Sequence, residues 1–146
     1  MSQLQKAKLI SQDDRSEIVF MFNPTELDFQ KETVINNSEA LRDRDGLNKV
    51  SFGGPKPLRL SIGNVIFDTY ESGDNVMTKY VDKLLDALEF VPNLERPPIY
   101  LFTWGQIQYM RCFILSVGYK LTLFLADGTP VRATANLSMI QTEQTR

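Results

Sequence analysis

The segment ADGTPVRATANLSM, Ala126 to Met139, opens on a tight-turn dipeptide, Asp127-Gly128, and runs into strict alternation. Val131, Ala133, Ala135, Leu137 and Met139 share one phase; Arg132, Thr134, Asn136 and Ser138 share the other. Successive side chains of a strand point to opposite faces, so this pattern demands an extended strand with one apolar and one polar side. The apolar side needs a core. The polar side faces water, either around a single molecule or inside a channel lined by many copies, and alternation alone leaves open which face is inner.

The rest of the chain follows the same all-extended logic with one exception. Strand-like runs occupy Lys6 to Ser11, Glu17 to Phe22 and Leu27 to Ile35, reading as a meander of antiparallel strands. Between the last two, Asn23-Pro24-Thr25-Glu26 forces a turn or extended corner, because proline fixes its own φ and denies Asn23 the helical region. The stretch SFGGPKP, Ser51 to Pro57, reads as a corner into LRLSIGNVIFDT, where the apolar phase switches at Gly63-Asn64 and predicts a bulge. After the extended spacer NLERPP come a strand, IYLFTW, a turn at Gly105-Gln106 and a long apolar run from Ile107 to Leu125, with a break or bend expected near Gly118 and Lys120. The last hairpin turns at Asp127-Gly128.

The exception is a helix. Asp74 or Asn75 can cap it, Val76, Tyr80, Val81, Leu84, Leu85 and Leu88 form its apolar stripe, and Pro92 ends it near Phe90. A helix this short needs a sheet to pack on. The fold expected is therefore α+β: a curved antiparallel β-barrel or sandwich of about eight strands with one packed α-helix, in a single domain spanning residues 1–146. From 36 to 50 the alternation lapses, and NNSEALRDRDGLNK predicts an exposed loop longer than an ordinary connection. Its interleaved charges, Glu39, Arg42, Asp43, Arg44, Asp45 and Lys49, suit a contact with a second copy of the chain.

Charge and chemistry narrow the function. Sixteen basic and eighteen acidic residues give a formal net charge of -2, which disfavours a nucleic-acid binder relying on a broad basic surface. No apolar run reaches a membrane span, and MSQLQKAKLISQDD lacks the apolar core of a secretory signal, so no direct membrane insertion and synthesis in the cytoplasm are expected. Histidine is absent, removing the commonest general base and zinc-ligand nitrogen, and Cys112, the sole cysteine, reads as a buried apolar residue. Asp68, Glu71 and Asp74 make a carboxylate cluster without calcium-loop spacing, better explained by the helix start they precede. Lys49, Lys56 and Arg59 are too few for more than a small basic patch. No catalytic, cofactor or metal residues are assigned, and an enzyme is not expected.

Read in order, FNPTE, LSIGNVIFDTYESGDNV, YVDKLLDALE, RPPIYLFTWG and LFLADGTPVRATANL resemble the tube-type domain of contractile injection systems. The series is most similar to the N-terminal domain of the LysM-associated tube and baseplate protein of antifeeding-prophage-type extracellular particles. The resemblance implies a phage tail-tube-like fold and a structural subunit of a six-fold ring, a tube initiator or baseplate component joining the spike complex to the inner tube inside a contractile sheath. It implies as partners further copies of the chain, a spike or hub protein, the inner tube protein and other baseplate subunits, in a particle that is released or membrane-anchored. A LysM module often follows such domains; none is expected within these residues. On this reading Arg132, Thr134, Asn136 and Ser138 line the lumen and the helix lies outside. The competing reading is a free-standing small β-barrel that binds a small ligand or oligosaccharide in a cavity walled by Tyr100, Phe102, Trp104 and Tyr109. A single-strand nucleic-acid binder on a similar barrel is a third, disfavoured by charge.

Overall fold

The structure is a computed structural model that describes residues 3–42 and 48–143, with only the backbone described at 36–42 and 48–52. Nine strands and one short helical segment are present: β1 (Ala7–Ser11), β2 (Glu17–Val19), β3 (Asp28–Gln30), β4 (Thr33–Arg42), β5 (Asn48–Pro55), β6 (Arg59–Asp68), a π-turn (Met77–Val81) running into α1 (Asp82–Asp86), β7 (Tyr100–Trp104), β8 (Ile107–Phe124) and β9 (Pro130–Gln141). Seven strands make one antiparallel sheet in the order β2-β1-β7-β8-β9-β6-β3, and β4 with β5 make a separate two-stranded ribbon. The sheet is not closed, so the architecture is an open α+β sandwich rather than a sealed barrel. Among the described residues no helix is long and apolar enough to cross a membrane.

Strand β9 lies inside the sheet, bordered by β6 and β8, and its alternation sets the core. Val131, Ala133, Ala135, Leu137 and Met139 are all buried beneath the helical segment and its neighbours. Small Ala133 and Ala135 leave room for larger partners from β6, and Phe67 stacks on Tyr80 of the π-turn with ring centroids 5.1 Å apart. Each large side chain so buried contributes about 1.5–3 kcal/mol. The phase switch at Gly63-Asn64 is a bulge: the β6–β9 register shifts between Ile62 and Val65, and Asn64 takes a left-handed φ of 57°.

The helix begins where Asn75 Oδ1 accepts the Met77 N–H at 2.9 Å, a side-chain cap for one of its unpaired donors. A regular α-helix would place Tyr80, not Val81, over Val76; the π-turn inserts one residue, so Val76 and Val81 both enter the core together with Leu84 and Ala87. Ala87 was not in the expected stripe, and the regular helix ends at Asp86, short of Phe90.

Three expectations need correction. The run Leu27 to Ile35 divides at Lys31-Glu32, with β3 staying in the main sheet and β4 leaving it. Of the exposed loop expected at 36–50, residues 36–42 lie on β4 and 48–50 on β5, whose backbones pair with each other, and β5 also absorbs most of the SFGGPKP corner; residues 43–47 lie outside the described residues. The break expected at Gly118 and Lys120 is absent, since β8 is continuous over eighteen residues. Its irregularities lie between Ile114 and Ser116 and between Leu121 and Leu123, where β8 carries one extra residue against β9, and between Leu123 and Phe124, where the extra residue is on β9.

Candidate functional site

The polar phase of β9 belongs to a face built in rows across three or four strands. Cross-strand partners point to one side of a sheet, so the register aligns Ser61, Ser138 and Ser116, then Asn136 and Gly118, then Ile66, Thr134 and Lys120, and finally Asp68, Arg132 and Leu123. Asp28 and Gln30 of β3 extend the face beside Ser61 and Arg59. The core and helical segment lie on the other side, against the Val131 to Met139 phase.

The four candidate residues of that face are brought together as the alternation demands. Arg132 Nε donates to Asp68 Oδ2 at 2.9 Å, and Asn136 Oδ1 accepts the Asn64 N–H at 3.0 Å, closing the bulge from the solvent side. Thr134 and Ser138 sit half-buried between their neighbours. The Asp68 carboxyl is held below the usual carboxylate range, first by the Tyr70 N–H and next by the Arg132 guanidinium. The face mixes short hydroxyl, amide and glycine positions with Ile66, Lys120, Leu123, Arg59 and the Asp68–Arg132 pair.

Two carboxylates of the FDTYESGD stretch, Asp68 and Asp74, are engaged separately. Asp74 pairs with Lys79 at 2.8 Å and accepts from the Ser72 hydroxyl, while Asp68 is taken by Arg132. Lys56 pairs with Glu32 rather than joining Arg59. Cys112 is buried, and desolvation pushes its thiol up to about 12, so it stays protonated and unreactive near neutrality. Of the aromatic set proposed to wall a cavity, Tyr100 and Phe102 are buried and Trp104 and Tyr109 half-buried: Phe102 stacks on Tyr109 at 5.5 Å and meets Phe20 at 6.1 Å, and Tyr109 meets Phe29 at 5.8 Å. Of the charged residues expected to form a subunit contact, Glu39 and Arg42 lie on β4 and Lys49 on β5, with their side chains outside the described residues; Asp43, Arg44 and Asp45 lie outside the described residues altogether.

The sheet margins were the feature that residue patterns missed. Strand β7 pairs with β8 only as far as Cys112, so from Phe113 to Phe124 the β8 edge opposite β9 has no strand partner among the described residues. On the far side, β3 covers β6 only at Arg59, Leu60 and Ser61. Three strands thus project as a blade with two bare edges. Tyr119 is in register with fully buried Ala135, on the core side of the sheet, yet 40% of its surface is exposed. Leu115 and Phe124 are exposed in the same half-strand. The available signal was the sheer length of the Ile107 to Leu125 run, too long for any single neighbour named in the sequence.

A family model described as contractile injection system tube protein matches residues 3–146. No curated protein matches the chain.

Proposed function

We propose, from the premise that this chain belongs to the contractile injection system tube protein family, that it is a non-catalytic ring subunit, a tube initiator or baseplate component between the spike complex and the inner tube. The observation that carries this reading is the blade of β6, β9 and β8 with two bare edges and one polar face. Unpaired edges are an aggregation liability for an isolated molecule, and a head-to-tail contact between different edges removes them when the rotation closes into a ring. In such a ring of six, the rows around Arg132, Thr134, Asn136 and Ser138 line the lumen, where short polar side chains neither obstruct nor adhere to what passes. The helical segment, on the opposite side of the sheet, lies outside.

The β4–β5 ribbon supplies the second contact. A two-stranded ribbon is marginal by itself in water, and this one is separate from the main sheet. Glu39, Arg42, Asp43, Arg44, Asp45 and Lys49, with both signs of charge, serve in this reading as a contact with another subunit. The partners are further copies of the chain, a spike or hub protein, the inner tube protein and other baseplate subunits, within a phage-tail-like particle. Electron microscopy of the purified protein at high concentration, and of the particle, tests this: rings of six are expected, and a stable monomer that joins none of these components would overturn it.

A further inference from the structure

At the end of the helical segment, several locally unfavourable features converge on one short loop. Phe90 and Leu94 are 65% and 41% exposed, although residues of this kind elsewhere fill the core. Asn93 and Glu95 hold left-handed φ values of 71° and 53°, a strained conformation for residues other than glycine, most of all for glutamate. Asp86 closes the helix and Glu89 follows it, placing negative charge at the end where the helix carbonyls already concentrate it. From Asp86 to Glu95 there is no basic residue, and Asp86, Glu89 and Glu95 have no ion pair among the described residues.

The loop is nevertheless held rigidly. Val91 N–H donates to the Arg96 carbonyl at 2.7 Å and Leu94 N–H to the Val91 carbonyl at 3.1 Å, closing the turn on itself. Behind it, buried Arg96 grips Asp13 with two nitrogens at 2.8 and 3.2 Å, and Asp13 also accepts the Ile99 N–H. Strain, unpaired like charges and exposed apolar side chains, fixed by a buried ion pair, describe a surface organised in advance for something else.

We propose that Phe90 and Leu94 form a docking knob, rimmed by Asp86, Glu89 and Glu95, for a different protein that offers an apolar recess edged with lysine or arginine. Charge complementarity selects this occupant over a second copy. One cleft of the chain, of about 490 Å³ and lined by Phe22, Tyr70 and Tyr80, has its two cations, Lys79 and Arg132, already paired with Asp74 and Asp68, and adds Glu71, so this cleft does not complement an acidic knob. The inference rests on the reading above that the chain works inside a multiprotein particle, whose other components supply the partner.

The test uses the whole chain, with Phe90→Ser/Leu94→Ser and Glu89→Lys/Glu95→Lys double variants, each checked for an unchanged thermal transition. Binding to the sheath, tube, spike and baseplate subunits of the same particle, purified singly, is measured by calorimetry at low and moderate salt. One subunit should bind, with affinity falling about thirtyfold or more for the apolar variant and about five- to tenfold for the charge variant, while ring formation by the chain alone is unchanged. Wild-type affinity of both variants for every subunit overturns the proposal. So does loss of ring formation with partner binding intact, which makes the loop a contact between copies, and so does insensitivity to the charge variant, which removes the basic-edged partner. Failure of the wild-type chain to bind any subunit counts instead against the functional reading itself.

Discussion

Between Ile107 and Cys112 strand β8 pairs with β7, β9 takes over from Cys112, and Met110, Cys112 and Ile114 drop into the core at alternate positions. Between Leu115 and Phe124 the strand pairs with β9, and none of its residues is buried. Residue type does not distinguish the halves: both are rich in aliphatic and aromatic side chains that favour strands. What differs is the neighbourhood. The first half stabilises the fold of its own chain, while the second leaves apolar surface and backbone donors available to another molecule. Strand propensity therefore says that a segment is extended, and what covers its apolar face says for whom.

The contrast is sharpest where a single change removes core volume beside the first half. Phe102 lies opposite Met110 and is fully buried, so Phe102→Ala should lower the free energy of unfolding by about 3–5 kcal/mol in urea titrations. Next in size is the tie that holds the approach to β7. Asp13→Asn leaves buried Arg96 without its counter-charge, and a loss of about 2–4 kcal/mol near neutral pH is expected. The Asp13 carboxyl is depressed, chiefly by its hydrogen bonds from Arg96, with burial opposing. Its stabilisation is complete above the ordinary aspartate value of about 3.9 and is lost as pH falls through the lower folded value. Urea midpoints of wild type and variant should accordingly converge in acid.

The second half of β8 should respond oppositely. Leu115→Asp/Tyr119→Asp is expected to change unfolding free energy by far less than Phe102→Ala, since neither side chain is buried, yet to abolish rings seen by electron microscopy. Unfolding on the scale of Phe102→Ala would show instead that this half serves its own core, and the contrast would fail. The smallest effect belongs to the exposed pair beside the end of that blade. Asp68→Ala should leave the urea midpoint almost unchanged, with any difference shrinking further at high salt.

How much of this was legible depended on whether the controlling neighbour was local. The β9 faces, the Gly63-Asn64 bulge, the Asp127-Gly128 turn and the helix start were readable because alternation, phase and capping are written within a few residues. Thr129 N–H even bonds the Asp127 carboxylate at 2.9 Å, as such a turn requires. The β4–β5 ribbon was not readable, because charged and polar residues interrupt the alternation along it and it pairs apart from the main sheet. Nor were the bare edges, which depend on where β7 and β3 stop pairing. The knob at Phe90 was obscured for a related reason: the sequence put Phe90 at the helix end without saying which way it faces, and the regular helix stops earlier, at Asp86, leaving Phe90 exposed.

That π-turn has an evolutionary corollary. A helix carrying a surplus residue can surrender it: removing exposed Thr78 brings Val76 and the present Val81 to a spacing of four, the interval at which an ordinary helix stacks side chains on one side. Shortening by one codon at this site is thus a permitted step in the history of such a chain, whereas the same deletion inside β9 would turn the strand inside out.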